Sequence, residues 1–346
     1  MTALLVSIFF LYLLYLLWEA HTARVARKKL AHVVHVNGTR GKSTVSRLIE
    51  AGLRAGGLRV FCKTTGTDPL TIDVNGREEP IRRRGKANIK EQIAILRRAA
   101  AQDAQVLVVE CMAITPEFQQ ASQRDILRAD IGVITNVRRD HTDVMGDTLP
   151  QIAEALCHTV PQGGVLLTAE TVMAERLKTA AEKNGSSFVC AEVRGDEGTL
   201  DFPENVALAL AVCEKLGVPR ETAFAGMQRF SRDPYALSLY RLGKAAFIGG
   251  LSINDIQSIC MVWEKLCVEH GWQEKRLTLL INNRGDRASR TEDMLRVCTA
   301  LHPAEVWLMG ASRGYMKRGL KRKLPEVAVR ELAGAAAASG GEADPA

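Results

Sequence analysis

Aromatic side chains are scarce, at 5% of the chain, and none recur in a stacking motif of the kind that binds RNA or single-stranded nucleic acid. Nucleic acid is therefore not expected as a partner. Cys-x-x-Cys pairs are absent: the eight cysteines stand apart at positions 62, 111, 157, 190, 213, 260, 267 and 298. That spacing argues against a zinc site and a disulfide scaffold. The cysteines read instead as small buried hydrophobes in a reducing compartment. Acidic residues are outnumbered, 39 against 46 Lys and Arg, for a net charge of +7. The excess points to an anionic lipid surface or an acidic substrate. Lys and Arg are also missing ahead of the one long apolar run, Ala3–Trp18. A secretory signal needs a basic segment there.

What is present is a globular composition, 47% hydrophobic and 25% charged over 346 residues, enough for two ordinary domains with appendages. As a helix, Ala3–Trp18 reaches roughly 24 Å, usable across a core of about 30 Å when interfacial residues flank it. Tyr12, Tyr15 and Trp18 lie toward one end, and Arg24, Arg27, Lys28 and Lys29 follow. The positive-inside rule then puts the rest of the chain in the cytoplasm. We expect a single-pass anchor over residues 1–20 and a basic juxtamembrane linker over 21–31.

The densest signal follows at once. Val33-Val34-His35-Val36 reads as a buried parallel strand running into Asn37-Gly38-Thr39-Arg40-Gly41-Lys42-Ser43-Thr44. Gly38 and Gly41 let backbone N–H groups approach phosphate oxygens. Lys42 supplies charge for the β- and γ-phosphates of a nucleotide, and Ser43 an oxygen for Mg²⁺. A helix over 43–55 would aim its positive end at the same anion. This Gly-x-x-Gly-Lys-Ser-Thr spacing is shorter than the usual P-loop and resembles the nucleotide loop of the Mur ligase superfamily, enzymes that join a carboxylate to an amine using ATP.

The pattern then alternates. Strands are expected at 58–62, 106–109, 131–135, 164–168, 245–248, 277–281 and 306–309, and helices at 88–101 and 116–128. Asn75-Gly76 marks a tight hairpin. Lys63-Thr64-Thr65-Gly66-Thr67-Asp68 is either a substrate-positioning loop or a polar turn. The run Arg82-Arg83-Arg84-Gly85-Lys86 is a solvated surface or a polyanion-gathering patch. Glu110 closes an apolar strand, where a carboxylate in a P-loop domain reaches Mg²⁺. Asp140, His141 and Asp143 cluster after another strand, where parallel sheets present functional loops. Arg284 and Arg287 are candidates for contacting an acyl phosphate or glutamate carboxylates, or are loop ion pairs.

Glu110 in Val-Glu-Cys-Met-Ala, Asn136, and Asp140-His141-Thr142-Asp143-Val144-Met145-Gly146 together resemble the ligase subunit of poly-γ-glutamate synthases, the PgsB/CapB family. So do Gly41-Lys42-Ser43-Thr44, the Lys63–Asp68 loop and the short apolar start, a likeness running to about Leu308. The resemblance implies an α/β fold: a P-loop central domain over 32–233, a Rossmann-like C-terminal domain over 234–331 and a transmembrane helix. Residues 332–346 read as an Ala/Gly-rich tail, and the C-terminal domain is expected to be shorter than the family's. The resemblance also implies ATP, and two magnesium ions held by Ser43 for one and by Glu110 and His141 for the other. It implies Asn205 on the adenine side, although a plain capped helix explains that residue equally. Asp255, beside Asn254, would reach the nucleotide. The substrate candidates are Lys63, Thr64, Thr65, Asp143, Arg284 and Arg287. Glutamate, a poly-γ-glutamate chain and an integral membrane synthase subunit are the implied partners. No Lys stands between Lys90 and Lys178, so the carbamylated lysine of many Mur ligases has no counterpart there. Two other classes share these motifs: a membrane-bound nucleotide-binding subunit that gates a partner without turnover, and an amide ligase acting on cell-wall precursors or folate.

Overall fold

Alternation of buried β-branched strands with amphipathic helices produces an eight-stranded sheet in the N-terminal part of the chain. The computed structural model describes all residues except 67, 84, 86, 196–201, 232–236, 251–252, 254, 284–287 and 333–346. Arg284 and Arg287, Asn254, Arg84 and Lys86 of the basic run, and most of the expected tail therefore lie outside the described residues. The chain divides into two compact units, Met1–Pro234 and Tyr235–Ala346.

The first unit opens with helix α1 (Thr2–Lys29), then β1 (His32–Asn37), α2 (Lys42–Ala55), β2 (Val60–Thr64), β3 (Leu70–Ile72) and β4 (Glu78–Pro80). There follow α3 (Glu91–Ala101), β5 (Val106–Glu110), α4 (Pro116–Ala121), β6 (Ile131–Ile134), α5 (Thr142–Met145) and α6 (Leu149–Cys157). β7 (Val165–Thr168), α7 (Ala174–Lys183), β8 (Ser187–Cys190), α8 (Pro203–Lys215) and α9 (Arg220–Met227) complete it. The strand order is β4-β3-β2-β5-β1-β6-β7-β8. β1, β2 and β5–β8 run parallel, while β3 and β4 are added antiparallel through the hairpin at Asn75-Gly76.

Both faces of the sheet are covered. Val34, Val36, Cys62, Val108, Val133 and Leu167 pack against α2, α8 and α9 on one side. Val33, Phe61, Leu107 and Val109 meet α3 and the end of α1 on the other, and Ile134 and Leu166 meet α6 and α7. Strands buried on two faces are mostly apolar, which is why β5 and β6 read as Val/Leu/Ile-rich runs and β1 as valines broken by His35. Full burial of each such side chain contributes roughly 1.5–3 kcal/mol.

Two expectations change. Residues 21–29 are not a linker: α1 continues through them, with Ala23 and Ala26 buried. The helix expected over 116–128 gives way after Ala121 to a π-helical turn, Ser122–Leu127, which ends at Arg128 in the left-handed region. The strand expected over 245–248 is present, as one arm of a hairpin of β9 (Ser238–Leu242) with β10 (Ala245–Gly249). Of the described helices, α1 alone is long and apolar enough to cross a membrane, and its apolar window is wholly exposed.

The second unit follows that hairpin with α10 (Ile256–His270), β11 (Thr278–Asn283), α11 (Ala288–Leu301), β12 (Glu305–Gly310), α12 (Arg313–Lys323) and β13 (Ala328–Glu331). β11, β12 and β13 form a parallel sheet. Ile281, Leu295, Cys298, Val306, Leu308, Met316 and Leu320 make its core. This is the Rossmann-like α/β layer expected of the C-terminal part.

Candidate active site at the strand ends

In a parallel sheet the loops that do chemistry emerge at the carboxyl ends of the strands. Here β5, β1 and β6 are adjacent. Glu110, the Asn37–Lys42 loop and the Asp140–His141 segment therefore leave from neighbouring strands.

The loop between β1 and α2 is shaped by its glycines. Gly38 has φ +127°, and a Cβ there would run into Thr135. Gly41 has φ +78° and caps α2 in the left-handed conformation. A Cβ on Gly41 would lie 2.8 Å from the Asn205 amide oxygen, so the start of α8 sits directly on the loop. No side chain caps α2 and no carboxylate occupies its first turn. The N–H groups of that turn are left for an anion.

The segment after β6 braces the loop from the other side. Asn136 Oδ1 accepts from Thr39 Oγ1 (2.8 Å) and Arg40 N (3.0 Å), while its Nδ2 donates to Arg40 O (3.1 Å). Thr135 Oγ1 donates to Arg40 O at 2.6 Å. Lys42 Nζ folds back onto Gly38 O (2.7 Å) and Thr39 O (3.4 Å). Asn37 takes no part in the cradle: its amide donates inward to Gln119 and Thr159. Thr44 is partly exposed in the first turn of α2.

Ser43 and Glu110 are in contact. Ser43 Oγ donates to Glu110 Oε2 at 2.8 Å, and Thr65 N donates to the same oxygen at 2.6 Å. The Glu110 residue is buried, yet no described cation lies within ion-pairing distance of its carboxylate. A hydroxyl and a carboxylate without a cation are hard oxygen donors of the kind Mg²⁺ takes, usually one or two from protein and the rest from water and phosphate. That suits a site in which, among the described residues, no cage of three or more His, Cys, Asp or Glu forms.

His141 caps α5 with φ 47°, and its Nε2 is 3.7 Å from Asp140 Oδ2. Asp140 also faces Arg40, with Nη2 3.4 Å from Oδ2, which ties this segment to the phosphate loop. Asp143 is exposed in the first turn of α5. Gly146, at φ +102°, turns the chain so closely onto Gln151 that a Cβ would lie 2.6 Å away. The Thr148–Gln151 capping box then starts α6.

Lys63 differs most from expectation. It was a candidate for touching substrate, but it is fully buried. Its Nζ lies 3.1 Å from Glu91 Oε1 and 3.5 Å from Met112 Sδ. Burial draws its ammonium below the usual lysine range, with Glu91 opposing. Burial also raises Glu91, but Arg83, bonded to both of its oxygens, and Lys63 outweigh this and hold it low. A buried, paired lysine orients its strand end rather than reaching a ligand. The neighbouring thiol Cys111 is pushed up to about 11 by burial, which makes it a poor nucleophile.

In the second unit Asp255 caps α10, its Oδ1 accepting from Ser258 N at 2.8 Å. Two contributors were missed in the sequence: Thr135, and Glu91 as the partner of Lys63 and Arg83. The hydroxyl beside Asn136 was the signal for the first. A lysine alternating with apolar residues on a central strand was the signal for the second.

Comparison with known proteins gives the family and the fold. The family model for the Mur ligase middle domain matches residues 36–199, and that for the poly-gamma-glutamate synthase CapB C-terminal domain matches 236–340. The chain is 38% identical over 286 residues to the capsule biosynthesis protein CapB of Bacillus anthracis, covering 79% of this chain and 61% of that protein. It is 36% identical over 292 residues to the PGA synthase CapB of Bacillus subtilis, covering 80% and 74%. The chain thus spans about three fifths to three quarters of the length of these relatives. Mycobacterium tuberculosis folylpolyglutamate synthase complexed with ADP shares the fold, with a TM-score of 0.66 at 16% identity over 91% of this chain and 83% of that one. By sequence and by fold, the chain belongs to the CapB family of poly-gamma-glutamate synthases, built on the Mur ligase fold.

Proposed function

We propose that this protein is an ATP-dependent amide ligase that adds glutamate to a poly-γ-glutamate chain at the cytoplasmic face of a membrane. The observation that carries the reading is the Ser43–Glu110–Thr65 junction directly beneath the glycine loop. Family membership supports the substrate.

A carboxylate resists amine attack because it is anionic and its leaving group is oxide. Phosphorylation removes both obstacles. The loop N–H groups and Lys42 hold the β- and γ-phosphates, and Lys42 gives up its bonds to Gly38 and Thr39 to do so. Ser43 and Glu110, with His141, would hold magnesium, which neutralises charge on the phosphates when bound. The terminal carboxylate of the polymer attacks the γ-phosphorus, the bond to ADP breaks, and an acyl phosphate forms. The amine of the incoming glutamate then attacks the acyl carbon, losing its proton, and phosphate leaves. Thr64 and Thr65 border this space, and their place is tied to Glu110 through the Thr65 N–H. Arg284 and Arg287 are proposed to steer the acidic substrates, Asp143 to receive the ammonium group of the incoming glutamate, and Asn205 and Asp255 to contact the nucleotide. Helix α1 would anchor the protein beside an integral membrane subunit that receives the product.

Membranes carrying the full chain are to be incubated with ATP, Mg²⁺ and labelled glutamate. Glutamate-dependent ADP release that Lys42→Ala abolishes is expected. Nucleotide binding without such release, with or without a membrane partner, would instead identify a gating subunit.

A further inference from the structure

Helix α3 runs beside α1 in the same direction, and the contacts fix their relative level. At the start of α3, Lys90 Nζ is 2.8 Å from Glu19 Oε2 and 6.0 Å from the centre of the Tyr15 ring. Two turns on, the Arg97 guanidinium stacks 4.9 Å from the Trp18 ring and bonds Thr22. Farther along, Ala26 and Leu30 pack in one cluster with Ala99, Ala100 and Ala104. The beginning of α3 therefore stands level with Tyr15–Glu19.

That same end of α3 touches the catalytic edge of the sheet. Glu91, the neighbour of Lys90, pairs with Lys63 near the carboxyl end of β2. Lys63 in turn meets Met112, two residues past Glu110. The opposite edge is held by the other end of α1: Arg27 Nη2 is 2.9 Å from Asp130, which precedes β6. From Tyr15 to Lys29 the helix rises by about 20 Å. The strand ends bearing the phosphate loop and Glu110 are thus at the aromatic end of the apolar helix, and the amino ends are farther along it.

We propose that the catalytic edge of the sheet faces the bilayer, with the exposed Arg82 and Lys90 side chains against anionic phospholipid headgroups. The inference rests on α1 crossing the membrane with Tyr15 and Trp18 in the headgroup layer, where such rings settle. Basic side chains within a Debye length of an anionic leaflet are drawn to it. The continuous, packed helix leaves no slack by which the ligase body turns over. A polyanion made at this edge is released at the membrane plane, next to any membrane-embedded protein that carries acidic polymers.

The test uses the full chain in nanodiscs of phosphatidylcholine, with or without phosphatidylglycerol, carrying nitroxide-headgroup lipids as quenchers. A small fluorescent residue is placed either at Ala87, exposed before α3, or at Glu182, exposed at the far end of α7. With an offset on the order of 20 Å between the two levels, the Ala87 probe is expected to be quenched several-fold more than the Glu182 probe. Equal or reversed quenching overturns the orientation. Arg82→Glu is expected to remove the extra Ala87 quenching that phosphatidylglycerol gives, and an unchanged response overturns the headgroup contact. Carbonate washing of proteoliposomes reports insertion separately. Protein stripped by the wash refutes the spanning helix and the proposal with it, whereas inserted protein with equal quenching refutes the orientation alone.

Discussion

The two flanks of the phosphate loop are built differently. On the β5 side, the Glu110 carboxylate is buried and held by a hydroxyl from the first turn of α2 and an N–H just past the end of β2. On the β6 side, His141 is partly exposed, in a left-handed backbone conformation, beside an Asp140 that also answers to Arg40. One flank is pre-organised at the moment nucleotide arrives. The other sits in a short surface turn, where a local adjustment is cheap. In the proposed ligase, the first flank would carry most of the charge stabilisation and the second would refine it.

The largest expected effect follows from that contrast. Glu110→Gln keeps shape and hydrogen bonds but removes the charge, and should lower glutamate-dependent ADP release on the order of 10³-fold. His141→Asn should cost far less, roughly tenfold, because solvent and phosphate oxygens can take its place. Equal losses in steady-state turnover would erase the distinction between the flanks.

A second test concerns what lies under the loop. His35 is wholly buried on β1, its Nδ1 bonded to Gln123 at 2.8 Å, and burial lowers it to about 4. The unfolded chain then binds the extra proton below the ordinary value near 6.5, while the fold resists it down to about 4. Stability from this group is present above that window and is lost as pH falls through it. Between pH 7 and 5 the loss is about 2 kcal/mol. Denaturant midpoints should fall accordingly in the wild type, and His35→Leu should flatten that part of the pH profile. A wild type indifferent to this range would mean that the strand under the loop opens to water.

The smallest effect should come from the brace. Asn136→Ala removes hydrogen bonds to Thr39 and Arg40 without touching a phosphate. ATP affinity should weaken by roughly fivefold, the equivalent of about 1 kcal/mol of lost ordering. Titration calorimetry with a non-hydrolysable analogue would read it. An unchanged affinity would show that the glycines alone shape the cradle.

Much of the catalytic flank was legible in the chain because its signals are local. A strand, two glycines, a lysine and a hydroxyl in eight residues leave few other structures, and Asn75-Gly76 between short polar-edged strands leaves few other turns. The burial of Lys63 was not legible, since a lysine before two threonines looks like a polar loop. Only the partner from α3, Glu91, makes an ammonium tolerable inside the sheet. Likewise, residues 21–29 look like a charged linker by composition. The small faces of Ala23 and Ala26, packed on an adjacent helix, are a long-range fact that periodicity in so short a stretch does not reveal. Asn37 belongs to the loop in sequence, yet strand alternation turns its side chain toward Gln119 and Thr159.

The central claim is that Ser43 and Glu110 mark where a terminal phosphate is passed to a carboxylate. Hydroxylamine trapping tests it most directly. Membranes with the full chain, ATP, Mg²⁺ and a short γ-glutamate oligomer should yield a hydroxamate at the oligomer's terminal carboxyl, and Glu110→Gln should yield none while still binding nucleotide. Hydroxamate formation undiminished in Glu110→Gln would contradict the account.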